Sequence, residues 1–232
     1  MSTEVSVVGL VRQELYDTVL NRLANHSHSF SHFTSLEFGF DRGPFETVSE
    51  DSNLLRLKHT VRKPEIINNN APLNFKNPIR NGWSAYKQTL TSLGRVEPER
   101  LSPEFSIRPS YFCPILAGNP IEFVCALGYR QVTRFNPLKL RQKFEYFRRG
   151  VQFLRGSVII EIFRVYHNEK DETPIAGPEG HVITVTAIIP TAAPIPSSGP
   201  TVQELRSEAC ARVREIQAIL KGLADLCRVE PS

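Results

Sequence analysis

The chain has 232 residues, of which 41% are hydrophobic and 22% charged, a composition that excludes disordered and fibrous classes. Its net charge of +4 is too small to indicate a nucleic-acid partner by itself. The charge is unevenly placed, because residues 130–155 carry eight basic residues and one acid, for a local charge of +7, whereas the rest of the chain sums to −3.

The first half of the chain predicts strands with one early helix. Apolar residues at helical spacing predict the helix over 12–24, and 26–32 read as a polar loop. Short β-branched or alternating runs predict strands at 4–11, 34–40, 53–61 and 83–90, with a short extended piece at 105–116. Residues 62–82, rich in Pro and Asn, predict a long, flexible insertion.

The second half predicts a hairpin and two capped helices. Asn119, Pro120 and Gly128 mark a compact helix. Residues 142–155 and 158–167 predict a hairpin, with Gly150 as a bulge, and 181–189 predict a further strand. After a Pro-rich connection at 190–200, Thr201 and Glu204 form a capping box for an amphipathic helix over 201–227.

These elements predict an α+β fold that is mainly β: a single domain, residues 1–232, built as an antiparallel barrel with flanking helices. Several strands, including 5–11, 158–166 and 182–189, are apolar on both faces, whereas a half-exposed sheet would alternate. We therefore expect the 12–24 and 201–227 helices to cover part of the outer face, with a partner protein covering more.

The basic 130–155 segment interleaves Arg and Lys with Phe and Tyr, which is the composition of a single-stranded nucleic-acid platform. Alternation favours instead a hairpin with aromatics toward the core and basic residues toward solvent or an acidic partner, and so argues against direct nucleic-acid binding. We name as candidate partner-binding residues Arg141, Arg148, Arg149, Ile159 and Phe163.

Motifs for catalysis, cofactors and metals are missing from the sequence. It contains no phosphate loop, dinucleotide fingerprint or metalloprotease motif, and we expect no cofactor. His26, His28 and His32 form a cluster without an obvious acid or Cys partner, and we expect a solvated loop there. Cys113 and Cys125 are expected to be buried, inert thiols. With no secretory signal, no 18-residue apolar run and few cysteines, a reducing compartment is expected.

Several stretches resemble the subunit 18 family of the Mediator of RNA polymerase II transcription. They cover most of the chain in order and lie at 5–9, 19–24, 120–130, 144–150, 153–156, 160–166, 223–226 and 229–230. The resemblance implies a β-barrel with flanking helices in the Mediator head module, located in the nucleus. It also implies pairing with subunit 20, docking of a C-terminal helix of subunit 8, contact with the rest of the head module, and a coactivator role that bridges regulators to RNA polymerase II without catalysis.

The same barrel resembles the triphosphate-tunnel phosphohydrolases, which supply the enzyme alternative. That family carries E-x-E-x-K on its first strand, whereas this chain has Glu4, Ser6 and Val8 at those positions. Because metal-assisted phosphoryl transfer needs several converging carboxylates, and because we expect an interior lined by Val and Ile, the catalytic residues are judged absent and the chain is expected not to be an enzyme. A single-stranded RNA-binding barrel that uses 130–155 remains the other alternative.

Overall fold

A computed structural model describes residues 2–41, 55–64, 87–131, 133–136, 139–143, 145–168, 170–190 and 200–229. The strands are β1 (Ser2–Arg12), β2 (Ser29–Asp41), β3 (Leu55–Pro64), β4 (Lys87–Leu93), β5 (Ser106–Ile115), β6 (Arg130–Gln131), β7 (Thr133–Asn136), β8 (Lys139–Lys143), β9 (Glu145–Arg155), β10 (Val158–Tyr166) and β11 (Gly180–Pro190). The helices are α1 (Tyr16–His26), preceded by a 3-10 turn, α2 (Pro120–Ala126) and α3 (Val202–Ile219).

The described strands close into an eight-stranded antiparallel barrel, which confirms the predicted fold. Its order is β3-β4-β5-β1-β11-β10-β9-β2, and β2 pairs back onto β3 over the whole length of β3. The short β6 adds to the end of β2, and β7 and β8 form a separate hairpin. Closure removes the free edges that an open sheet would expose.

The main hydrophobic core lies outside the barrel wall. Alternate residues of β1, β10 and β11, such as Val5, Ile160 and Val185, are fully buried on the outer face. Val19 and Leu23 of α1 and the buried stripe of α3 pack against them, so both helices cover this face as predicted. A second, smaller cluster lies where α2 contributes Val124 over residues of β2, β3 and β4.

Helix ends follow the predicted caps, but the last helix is shorter than expected. The Asn119 side chain accepts a hydrogen bond from the Ile121 N–H, and Thr201 and Glu204 form a reciprocal capping box. Helix α3 ends at Ile219 and not at residue 227. Gly222 then adopts a positive φ of 80°, and the following segment turns back to pair Cys227 with Val8 of β1.

Two further expectations were wrong. Gly150 is not a bulge, because β9 keeps continuous register with β10 on one side and β2 on the other. A Cβ at this position would lie 1.9 Å from the carbonyl oxygen of Ile162, so glycine is required by the close approach of backbone. The expected loop at 26–32 contains only residues 27 and 28, since His26 ends α1 and β2 begins at Ser29.

Two predicted connections fall largely outside the described residues: 62–82, of which 62–64 belong to β3, and 190–200. Within the described chain, no helix has the length and apolar character needed to cross a membrane. Cys113 and Cys125 are both exposed, contrary to the expectation of buried thiols. Cys113 lies in the C-terminal half of β5, which is exposed from Tyr111 to Pro114, whereas Ile107 near the start of the strand is buried in the main core.

Candidate functional site in the barrel interior

The barrel encloses a cavity of about 870 Å³ lined by the inward-facing residues of its strands. Because successive strand residues point to opposite faces, one set of side chains on each strand must enter this space. On β1 these residues are Glu4, Ser6 and Val8, the three positions compared above with the E-x-E-x-K motif. The volume falls in the range of pockets that bind small molecules or a few side chains.

A charged network occupies the middle of the interior. The Arg148 guanidinium of β9 donates to Glu37 of β2 at 2.8 Å and to Glu161 of β10 at 2.6 Å. Lys58 of β3 lies 3.4 Å from the Glu161 carboxylate and 3.7 Å from that of Glu37. Four strands thus contribute two carboxylates and two cations, and the network carries no net charge.

Further contacts fix the geometry of this network. The Tyr146 hydroxyl donates to Glu37 at 2.6 Å, and the Gln152 amide donates to Glu161 at 3.3 Å. The guanidinium of Arg148 stacks 3.6 Å from the ring centroid of Phe163. A buried ion pair with so many hydrogen bonds retains its charged form.

The electrostatics of the network stabilise ionised carboxylates. Burial alone would raise the pKa of Glu37, but the charges of Arg148 and Lys58 and the hydrogen bonds from Tyr146 and Arg148 lower it to about 2. Burial alone would also raise the pKa of Glu161. The positive charges of Lys58 and Arg148 outweigh this effect, so the pKa of Glu161 is lowered. Burial, reinforced by Glu37, raises the pKa of Tyr146, which therefore stays a hydrogen-bond donor.

A second ion pair lies on the β1–β5 side. Both the Nε and Nη2 atoms of Arg108 donate to one oxygen of Glu4, at 3.0 and 2.7 Å, and the Ser6 hydroxyl donates to the same oxygen at 3.4 Å. The fourth cation of the interior, Arg56 of β3, lines the cavity and makes no hydrogen bond or ion pair within the part of the chain that is described.

The structure separates the five predicted partner-binding residues. Arg148, Ile159 and Phe163 line the interior, where Arg148 and Phe163 are in contact. Arg149 points outward, stacks on the ring of Tyr166 and donates to the carbonyl of Asp171. Arg141 belongs to β8, outside the barrel, and its side chain is not among those described. Their role in partner binding stays a prediction.

The expectation of an interior lined by Val and Ile was wrong. The most apolar strand faces point outward beneath α1 and α3, and the inner faces mix Val and Ile with charged residues and threonines. The expected hairpin orientation holds only in part for β9. Phe153 does face the main core, which lies on the outer face, but Arg148 points into the barrel to Glu37 and Glu161 and not toward solvent or a partner. The reason is that a barrel wall covered on both sides carries apolar residues on both faces of its strands. Hydrophobicity alone therefore does not show which face points into the barrel.

Sequence reasoning missed several polar residues of the interior, both in the network and outside it: Glu37, Lys58, Tyr146, Arg56 and Arg108. A signal was present for some of them, because Arg56 and Lys58 alternate with the apolar Leu55 and Leu57. Their convergence depends on which strands face each other across the closed barrel, and period-two alternation alone does not specify that.

The histidine cluster does not form a site in the structure. His28 accepts a hydrogen bond from the Gly156 N–H through Nδ1, and His32 makes an edge contact with Phe30 on β2. Among the described residues, no group of three or more His, Cys, Asp or Glu side chains is placed to hold a metal ion.

Comparison with known proteins shows similarity in fold only. No protein-family model and no curated protein matches the chain. A chain in the structure of the Schizosaccharomyces pombe Mediator head module is similar with a TM-score of 0.67 and 17% identity, covering 98% of both chains. The PH1819 protein from Pyrococcus horikoshii OT3 is similar with a TM-score of 0.58 and 12% identity, covering 98% of this chain and 94% of that one. The Mimivirus capping enzyme triphosphatase reaches a TM-score of only 0.44 at 10% identity over 94% of this chain and 89% of its own, a level that supports no conclusion.

Proposed function

We propose that this chain is a non-enzymatic interaction subunit of the Mediator head module, acting in the nucleus as part of a transcriptional coactivator. The observation that carries the proposal is the similarity, over 98% of both chains, to a chain of the Schizosaccharomyces pombe Mediator head module. The ordered sequence resemblance to the subunit 18 family supports the same assignment. In this role the chain pairs with Mediator subunit 20, receives the C-terminal helix of subunit 8, and helps to bridge regulators to RNA polymerase II.

The chemistry of the interior supports a role without catalysis. Metal-assisted phosphoryl transfer requires carboxylate oxygens that converge on a hard cation. Here Glu37 and Glu161 are already neutralised by Arg148 and Lys58, and Glu4 by Arg108. A divalent cation would have to displace two buried cations before it could reach the central carboxylates.

Co-expression tests the assignment. We expect the chain to aggregate or remain poorly soluble when expressed alone, and to elute as one complex when it is co-expressed with Mediator subunits 20 and 8 of the same species. Size-exclusion chromatography followed by mass spectrometry of the peak measures this. A stable, monodisperse monomer with no affinity for either subunit would contradict the proposal.

A hydrolysis assay tests the absence of catalysis separately. The purified complex is incubated with inorganic tripolyphosphate and Mg²⁺ or Mn²⁺, and released phosphate is measured. We expect no turnover above a buffer control. Robust turnover that is lost in a Glu37→Gln, Glu161→Gln variant would overturn the non-enzymatic part of the proposal and leave the assembly part to the chromatography.

A further inference from the structure

Arg56 differs from the other cations of the interior. Lys58, Arg108 and Arg148 each contact at least one carboxylate within 3.4 Å. Arg56 has no such contact among the described residues, although it lines the same cavity and lies near enough to Tyr146 to act on it electrostatically. An arginine held on a barrel wall without a counter-charge is a ready site for an anion.

The surroundings of Arg56 are partly apolar. Arg56 of β3 lies opposite Thr91 of β4, which lies opposite Phe112 of β5, so the three residues form one row across the inner wall. Since neighbouring strands are about 4.8 Å apart, Arg56 and Phe112 are separated by about 10 Å. Phe112 is 42% exposed although it lines the cavity. On the other side of Arg56, β2 presents Gly39, which has no side chain.

We propose that this row is a docking site for a partner polypeptide that places an acidic side chain against Arg56 and an apolar side chain against Phe112. The inference rests on the proposed function and names the chemistry of the partner segment. A carboxylate matches the planar guanidinium with two parallel hydrogen bonds. The apolar side chain, about 10 Å away, removes the exposed face of Phe112 from water.

The charge balance of the interior favours a single carboxylate over a polyphosphate. A polyphosphate would need several free cations, but Lys58 and Arg148 are held by Glu37 and Glu161, whose own charges repel an anion. Among the described cations of the interior, Arg56 is the one without a carboxylate partner, and it supplies one positive charge. The row therefore suits one carboxylate with an apolar neighbour.

The nearest competing explanation is a pair within the chain. Glu145, at the start of β9, lines the rim of the cavity and is exposed. It lies opposite Phe38 of β2, next to the Gly39 that faces Arg56. If Arg56 served only to neutralise Glu145, neutralising the carboxylate would have the same consequence as removing the arginine.

The test is capture of Mediator subunits 20 and 8 by tagged variants of the full chain. We expect Arg56→Ala to weaken the apparent affinity at least 10-fold, Phe112→Ser to weaken it also, and Arg56→Lys to retain part of it. The matched control is Arg12→Ala, since Arg12 is an exposed arginine paired only with Glu14. Thermal unfolding of each variant checks folding, and Arg56→Gln replaces the alanine variant if that variant does not fold.

The outcomes separate this inference from the proposed function. Wild-type capture with an unchanged Arg56→Ala variant overturns the docking site and leaves the proposed function standing, whereas no capture by the wild type rejects the proposed function. Equal losses for Glu145→Gln and Arg56→Ala would assign Arg56 to a pair within the chain. An increase in melting temperature with inorganic tripolyphosphate, lost in Arg56→Ala, would assign the site to small anions and overturn a peptide occupant.

Discussion

Arg148 offers the sharpest test of the interior network, through the variant Arg148→Met. The substitution keeps an unbranched apolar side chain beside Phe163 but leaves Glu37 and Glu161 buried with only Lys58 to neutralise them. Breaking a buried ion pair by removing one partner costs about 3–5 kcal/mol. We expect a loss near the middle of that range in the free energy of unfolding, because Lys58 compensates part of the charge.

The adjacent Arg149 is the matched control. It is the same residue type on the same strand, but it faces outward onto Tyr166 and the Asp171 carbonyl. Arg149→Met should therefore cost about 1 kcal/mol or less. Urea unfolding of both variants in the same purified form, followed by circular dichroism, gives the comparison. Equal losses for the two variants would refute the description of Arg148 as the centre of a buried network.

The loss of stability expected for Arg148→Met could come from uncompensated buried charge or from lost packing, and a variant with an all-apolar network distinguishes the two causes. Replacing Glu37 and Glu161 by Leu and Lys58 and Arg148 by Met removes every charge of the network while keeping much of its volume. Such replacements are often neutral or stabilising. We expect this quadruple variant to recover most of the stability that Arg148→Met loses, and failure to recover would indicate that packing geometry dominates.

The network also predicts a specific acid sensitivity. Folding lowers the pKa of Glu37 from its ordinary 4.5 to about 2, so its contribution, about 3 kcal/mol, is complete above pH 4.5 and is lost as the pH falls toward 2. Glu37→Gln should flatten the pH dependence of the unfolding free energy in that window. An unchanged slope would show that the carboxylate is not stabilised by folding.

Three further predictions address the frame that holds the interior. Gly150→Ala should destabilise the barrel by more than about 3 kcal/mol, since its Cβ has no room, whereas Gly180→Ala, whose Cβ would make only an ordinary contact, should cost little in the same urea titration. Thr201→Ala should cost about 1 kcal/mol by breaking the capping box, seen as a lower melting temperature. Burial, aided by the charge of Arg164, lowers the pKa of His181 from 6.5 to about 4, so stability should fall as the pH drops from 6.5 to 4. In His181→Phe, which keeps the stack on Tyr16, that part of the pH dependence should be reduced, and an unchanged profile would contradict the assignment.

Local structure was predictable wherever a short-range rule was sufficient. The caps at Asn119 and Thr201 and the hairpin turn at Gly156, which has a φ of 57°, all depend on a few neighbouring residues. The early end of α3 was not predicted. Apolar residues continue at helical spacing to Cys227, but they pack in a different backbone path after Gly222, and hydrophobic periodicity does not distinguish the two.

The candidate site was predictable only in part, and β9 shows why. Arg148 and Arg149 are neighbours in a basic segment that composition treats as one surface, yet the strand sends them to opposite sides of the barrel wall. Alternation separates the two residues but does not say which one enters the interior. That choice depends on the helices covering the face that carries Val151 and Phe153, a tertiary contact far away in sequence.

The placement of the main core outside the barrel explains how a charged interior can exist in a stable fold. In many small barrels the hydrophobic core fills the inside, and folding depends on the apolar contacts made there. In such a barrel, charged side chains at the positions of the network would take the place of those contacts. Here the buried apolar area lies mainly between the outer wall and two helices, so the inner wall can carry polar groups as long as each carboxylate keeps a cation. Arg56 is the inner cation that has no ion pair among the described residues, and the exposed Phe112 lies two strands away on the same inner wall. This is where we expect a second protein to place a carboxylate.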